Sequence, residues 1–205
     1  MTLAFYIHFR YTHLVSMKNR VNSRISPEYV LLGFLYKHPS HGYKLHRRLL
    51  NEFGNIWHAS QSQTYNILKR LEAQAYITST FWEQEKLPPR QILQITDSGL
   101  GRFEAWLNQP TKCSVHAIRV EFVTRLYFMQ LYYPHNTLEM IRVQVDVVNA
   151  GLNQLQKDLA DLPDSQTFNR LALELRIKLL YSVISWLNGC SEAFASKGSV
   201  GAEDE

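Results

Sequence analysis

The chain has 205 residues, is 45% hydrophobic and carries a net charge of +4, an ordinary globular balance that excludes a chain disordered throughout. That length suits one domain or two small ones, each able to bury a core. Cys113 and Cys190 stand alone and far apart, which excludes a zinc ribbon or disulfide scaffold and favours a reducing, cytoplasmic setting; no apolar run reaches the roughly 20 residues of a membrane helix.

Charge is unevenly spread. Residues 17–110 hold 12 Lys/Arg against 7 Asp/Glu, whereas residues 111–205 hold 9 against 11. A polyanionic partner therefore belongs with the first half. The opening residues are aromatic and apolar but interrupted by His8, Arg10 and His13, and they lack the basic start and small-residue cleavage site of a signal peptide. Residues 1–24 are expected to be a leader outside the fold, with Met17 as an alternative start.

Ser26-Pro27-Glu28 reads as a helix start, with proline at the first position and an acid in the first turn. Val30, Leu31, Phe34 and Leu35 form its buried face. His38-Pro39-Ser40 breaks it, and Ser40 is expected to cap a second helix over 41–53, with Leu45, Leu49 and Phe53 on one side. Ser60 and Gln63 have the spacing of a capping box. In the helix they open, Ile67, Leu68 and Leu71 are the apolar stripe, and Gln61, Ser62, Thr64, Asn66, Lys69 and Arg70 are expected to face outward. Two strands follow, near 76–82 and 92–95, around a turn over 83–90 that carries Lys86 and Arg90. Such a polar, amide-rich helix before a basic hairpin suits a winged helix-turn-helix, with the helix in a major groove and the wing along the backbone. An amphipathic helix packed on a small sheet, its outer face merely solvated, accounts for this stretch equally well.

Thr96-Asp97-Ser98 caps a further helix through Leu107. Asn108-Gln109-Pro110-Thr111 is a punctuated linker, dividing the chain into domains over 25–109 and 112–195. Beyond it, Val115, Ile118, Phe122, Leu126 and Met129 mark a helix that ends before Pro134. Leu138, Ile141, Val145, Val148, Leu152, Leu155 and Leu159 then alternate spacings of three and four, an a/d seam over three heptads. This seam is the expected dimerisation surface, with the last helix, a partner subunit or both as its cover. A last helix spans 168–195, and 196–205 is expected to be a disordered tail. The fold class expected is mostly α with a small β-hairpin wing, ending in an antiparallel helical, coiled-coil dimerisation domain.

No catalytic constellation is legible. His38, His41 and His46 come closest to a metal cluster, but they straddle a proline turn without an acidic or cysteine partner. Neither a phosphate-binding glycine loop nor a nucleophile elbow occurs. No enzyme activity, metal or cofactor is expected.

Five stretches, His41-Gly42-Tyr43, Ser60 to Tyr65, Leu68-x-x-Leu71-Glu72, Pro88-Pro89-Arg90 and Ile95-Thr96-x-x-Gly99, together resemble the PadR-like transcriptional regulators over residues 27–107. The helical remainder resembles their longer-tailed members, whose C-terminal helices pair two subunits. What the resemblance implies is a cytoplasmic homodimer that binds double-stranded DNA at an inverted repeat, usually as a repressor, with small molecules of unknown identity or other signals as the means of release. The DNA contacts would be Gln61, Ser62, Thr64, Tyr65, Asn66, Lys69, Arg70, Lys86 and Arg90. Of these, Gln61, Thr64 and Asn66 would read bases, and Gln63 is a poorer reader because its cap occupies it. A module using winged helix and coiled coil for protein contacts alone is the alternative. Three departures from the family stand out: Gln61 and Asn66 replace Gly and Pro, Ile92-Leu93 replaces an aromatic pair, and Ala75 stands where the family has Gly. If that turn needs a left-handed residue, Ala75 costs about 1 kcal/mol.

Overall fold

A computed structural model describes residues 26–84 and 87–200, with backbone alone for 81–84, 87–90 and 197–200. The leader over 1–24 and the last five residues of the expected tail lie outside the described residues.

Helix α1 (Glu28–Leu35) is buried from Val30 to Leu35. A helix apolar all round belongs in the centre of a fold. Packed on it are α2 (Gly42–Phe53), α3 (Gln61–Ala73), α4 (Asp97–Leu107) and the second strand of a two-stranded hairpin. Ser40, expected to cap α2, is used otherwise. Its N–H and carbonyl pair with the carbonyl and N–H of Leu93, both at 2.9 Å, tying the entrance of α2 to the hairpin. The capping box of α3 is complete: Ser60 Oγ accepts from the Gln63 N–H at 3.2 Å, and Gln63 Oε1 accepts from the Ser60 N–H at 2.8 Å.

After Gln74 the chain reverses through Ala75, whose φ is 57°. The Tyr76 N–H donates to the Leu71 carbonyl and the Ala75 N–H to the Glu72 carbonyl, both at 2.9 Å. This is a Schellman closure with alanine in the left-handed position that favours glycine. Ala75→Gly is therefore expected to stabilise the protein by about 0.5–1 kcal/mol. A higher urea midpoint at unchanged m would show it, and a lower midpoint would contradict it.

β1 (Ile77–Gln84) and β2 (Leu87–Ile95) pair antiparallel, from Ile77 opposite Ile95 to Trp82 opposite Arg90, with a register shift before Gln84 meets Leu87. Both strands run into the stretch expected to be turn, because a two-stranded ladder has free edges where Pro88 and Pro89 need donate nothing. Lys86 lies outside the described residues. α4 then opens on Thr96, whose Oγ1 accepts from the Gly99 N–H at 3.2 Å.

Helix α5 comprises an α turn (Val115–Ala117), a π-helical stretch (Ile118–Phe122) and an α segment (Val123–Tyr132). It folds back onto α1, α2 and α4. Phe128 is fully buried among Phe34, Phe53 and Phe103. It also fills the notch at Gly33, where a Cβ would come within 2.4 Å of its Cζ. Trp57 Nε1 donates to Thr124 Oγ1 at 2.9 Å, and the Tyr132 hydroxyl donates to the Gly33 carbonyl at 2.7 Å.

After a 3-10 turn (Pro134–Asn136), α6 (Thr137–Ala160) and α7 (Thr167–Val200) form an antiparallel hairpin. On α6, Ile141, Val148, Leu152 and Leu155 are buried, matched on α7 by Ile177, Leu180, Val183 and Leu187. Most of the expected dimerisation seam is thus consumed inside one chain. Val145 and Leu159 are partly covered, and Leu138 is exposed. The reason is length: α7 has 34 residues against 24 in α6, so it can run along the seam and cover most of it.

Candidate nucleic-acid interface

α3 is pinned at its start by the capping box and along one side by Thr64, Ile67, Leu68 and Leu71, all buried. Its opposite side leaves Gln61, Ser62, Asn66, Lys69 and Arg70 exposed. An exposed helix start bearing amides and a hydroxyl, followed by cations in the later turns, can bond base edges and then phosphates.

Thr64 does not belong to that surface. It is 0% exposed, its hydroxyl donates to the Ser60 carbonyl at 3.1 Å, and it bonds His46 Nδ1 at 2.9 Å. Since the hydroxyl proton goes to Ser60, His46 Nδ1 must be the donor to Thr64. Thr64 thus holds α3 against α2 and leaves the set of base readers. Tyr65 is half-buried and lies over α2, where a Cβ on Gly42 would sit 3.0 Å from its ring. Gln63 has its side-chain oxygen engaged in the cap.

Arg70 is shared. Its Nη2 donates to Glu28 Oε2 at 2.9 Å, while the other oxygen of Glu28 pairs with Arg102. The Arg102 guanidinium also lies over the Tyr76 ring at 4.4 Å. A half-exposed ion pair of this kind contributes little to stability, but it fixes where the Arg70 charge sits. The side chain of Arg90 is outside the described residues, although its backbone pairs with Trp82 in the hairpin.

Three exposed residues of α2 escape a reading focused on α3: Tyr43, Lys44 and Arg47. In a helix-turn-helix the first helix crosses the nucleic-acid backbone, and cations on α2 suit that task. Their signal was legible, since Leu45, Leu49 and Phe53 mark the buried side of α2 and leave these three outside it.

The aromatic residues near the junction with α5 are structural. The Tyr36 hydroxyl donates to Glu104 Oε1 at 2.7 Å and is bonded to the Tyr133 hydroxyl. Burial, and then these bonds, push the Tyr36 phenol well above its ordinary range, so it stays a protonated donor. Among the described residues, no group of three or more His, Cys, Asp or Glu gathers as a metal site, and no helix is long and apolar enough to cross a membrane.

Residues 31–105 match the model of the transcriptional regulator PadR-like family. The chain is 28% identical over 131 residues to the negative transcriptional regulator PadR of Bacillus subtilis (strain 168), covering 63% of this chain and 70% of that one. It is 26% identical over 184 residues to the probable transcriptional regulator Rv1176c of Mycobacterium tuberculosis (strain ATCC 25618 / H37Rv), covering 82% and 97%. Against the crystal structure of Bacillus subtilis PadR in complex with operator DNA, the TM-score is 0.39 at 25% identity, over 82% of this chain and 98% of that one.

Proposed function

We propose that this chain, whose residues 31–105 match the PadR-like family model, is a transcriptional regulator of that kind, a cytoplasmic homodimeric repressor binding an inverted-repeat operator. The observation that carries the reading is the exposed Gln61, Ser62, Asn66, Lys69 face of a helix whose opposite side is locked into the core. Gln61 and Asn66 read base edges, with Ser62 beside them. Lys69, Arg70, Lys44 and Arg47 meet phosphate, and the hairpin carrying Arg90 and Lys86 follows the backbone as a wing. Division of labour follows the chain: 25–109 meets DNA, and 112–195 joins the two subunits.

The surface for that joining is on α7. Phe168, Leu171, Leu175, Leu179 and Trp186 are exposed, with Phe168 at 87% and Leu175 at 59%. Their spacings of three, four and seven put them in one stripe. A row of large apolar side chains on so long a helix marks an association surface, and an identical stripe on a second copy is its natural cover. A small-molecule effector has a candidate seat in the cleft of about 300 Å³ lined by Phe34, Lys37, Arg48, Leu131 and Tyr132.

Gel shifts on the DNA upstream of the protein's own gene, over a series of salt concentrations, test the reading. Tight binding that falls steeply with salt is expected. Lys69→Ala should flatten the log–log slope by about one while leaving site preference unchanged, whereas Asn66→Ala should relax discrimination at one base pair by about 1–3 kcal/mol with little change in slope. Binding no tighter than to unrelated DNA would leave the chain as a protein-contact module instead.

A further inference from the structure

The polar linker between α4 and α5 is exposed at Asn108, Gln109 and Pro110 but tightly held at Thr111. Thr111 is 1% exposed. Its N–H donates to Gln144 Oε1 at 2.8 Å and its carbonyl accepts from Gln144 Nε2 at 2.9 Å, so one amide of α6 satisfies both backbone groups. From the other side, Arg125 Nη1 donates to the Gln109 carbonyl at 2.6 Å and to Thr111 Oγ1 at 3.0 Å. Arg125 Nη2 pairs with Glu121 at 2.6 Å, and Glu121 also accepts from Trp106 Nε1 at 3.1 Å. Trp106 stacks on Tyr29 with centroids 4.7 Å apart. Tyr29 adjoins Glu28, the residue that holds Arg70 of α3.

Gln144 is the telling residue. It lies three residues after Ile141 and four before Val148, on the buried face of α6, and is itself 1% exposed. An apolar side chain there would pack as well. A single buried amide in an apolar seam instead fixes register, because any slide leaves it and its partners unpaired. A second lock lies one turn beyond Val148, where a Cβ added to Gly151 would come within 2.4 Å of Cys113 Sγ. Helices α1–α4 form one body with α5 through Phe128, and α6–α7 form a hairpin. The two bodies also touch through Phe122 on Trp186 and Thr137 on Gln130, and the Thr111 joint adds a buried polar key between them.

We propose that the Gln144–Thr111–Arg125 joint is a positioning element that sets the distance and rotation between α3 and the dimer axis, and so fixes the half-site spacing of the operator. The inference rests on the dimeric DNA-binding reading above. One base pair added between half-sites moves them by about 3.4 Å and rotates them by about 35°. A keyed joint resists that displacement, and a loosened one absorbs it.

The test uses the full-length dimer and a panel of operators with the central spacer lengthened or shortened by one or two base pairs. The parent is expected to lose about tenfold or more in affinity per base pair of change, while Gln144→Leu loses less than about threefold and binds the preferred spacing more weakly. Gly151→Ala, which wedges Cys113 and its weak bond to the Val148 carbonyl off α6 while leaving the Gln144 and Arg125 side chains in place, carries the test independently and should shift the preferred spacing. Both variants should remain dimers by light scattering. If both keep the parent's spacing profile, the joint is purely structural and the proposal is overturned. A parent with no operator in the panel overturns the DNA-binding reading itself, a different failure.

Discussion

Arg125→Met is expected to destabilise the protein by about 3–5 kcal/mol, the range for breaking a buried ion pair from one side. Arg125 is 2% exposed and Glu121 is 7% exposed. Removing the guanidinium leaves the Glu121 carboxylate with the Trp106 indole as its described donor, and it strips the Gln109 carbonyl and Thr111 hydroxyl of theirs. Met is the right probe because it keeps much of the volume. Adding Glu121→Leu removes the stranded charge, so the double variant should be more stable than Arg125→Met alone. Urea midpoints at fixed protomer concentration measure both steps. A single variant that unfolds at the parent's midpoint would show that the pair is neither buried nor coupled in solution.

How far this arrangement could be read from sequence differs by element, for physical reasons. Caps are local, so Ser60 with Gln63 and Thr96 with Gly99 were legible, and both are formed. The left-handed turn at Ala75 was legible too, because a glycine position in the family flagged it. Thr64 could have been placed correctly: it precedes Ile67, Leu68 and Leu71 by three, four and seven residues, which puts it on the buried stripe. Treating every polar residue of α3 as outward obscured that.

The linker is the opposite case. Asn108 to Thr111 reads as solvated throughout, and Asn108, Gln109 and Pro110 are exposed, yet Thr111 is buried and bonded by Arg125 and Gln144 from 14 and 33 residues away. No window of periodicity sees partners at that distance. The same limit hid the return of α5, for nothing near Phe128 says that its ring fills the notch at Gly33. For the α6 seam, periodicity established an apolar row but not its occupant. Both α6 and α7 carry such rows, and only their packing reveals that α6 spends its row internally while α7 keeps a second one on the surface.

That distinction predicts opposite outcomes for two aspartate substitutions one helix apart. Leu175 is exposed on α7, so in one chain Leu175→Asp leaves a charge in water and costs the fold little. In the proposed dimer the same charge would lie opposite its own copy within an apolar contact, an unfavourable burial without a partner. Leu175→Asp should therefore run at half the parent's mass in light scattering at micromolar concentration, with helicity and thermal midpoint of the remaining monomer readily measured. Operator affinity should fall by about 100-fold or more, because each half-site is then bound without the effective concentration that dimerisation supplies. Leu152 is 5% exposed and faces the interior of the hairpin, so Leu152→Asp should lower stability by several kcal/mol and melt α6 and α7 rather than release folded monomers. A folded monomer from Leu152→Asp, beside an intact dimer from Leu175→Asp, would return the interface to α6 and refute the assignment made to α7.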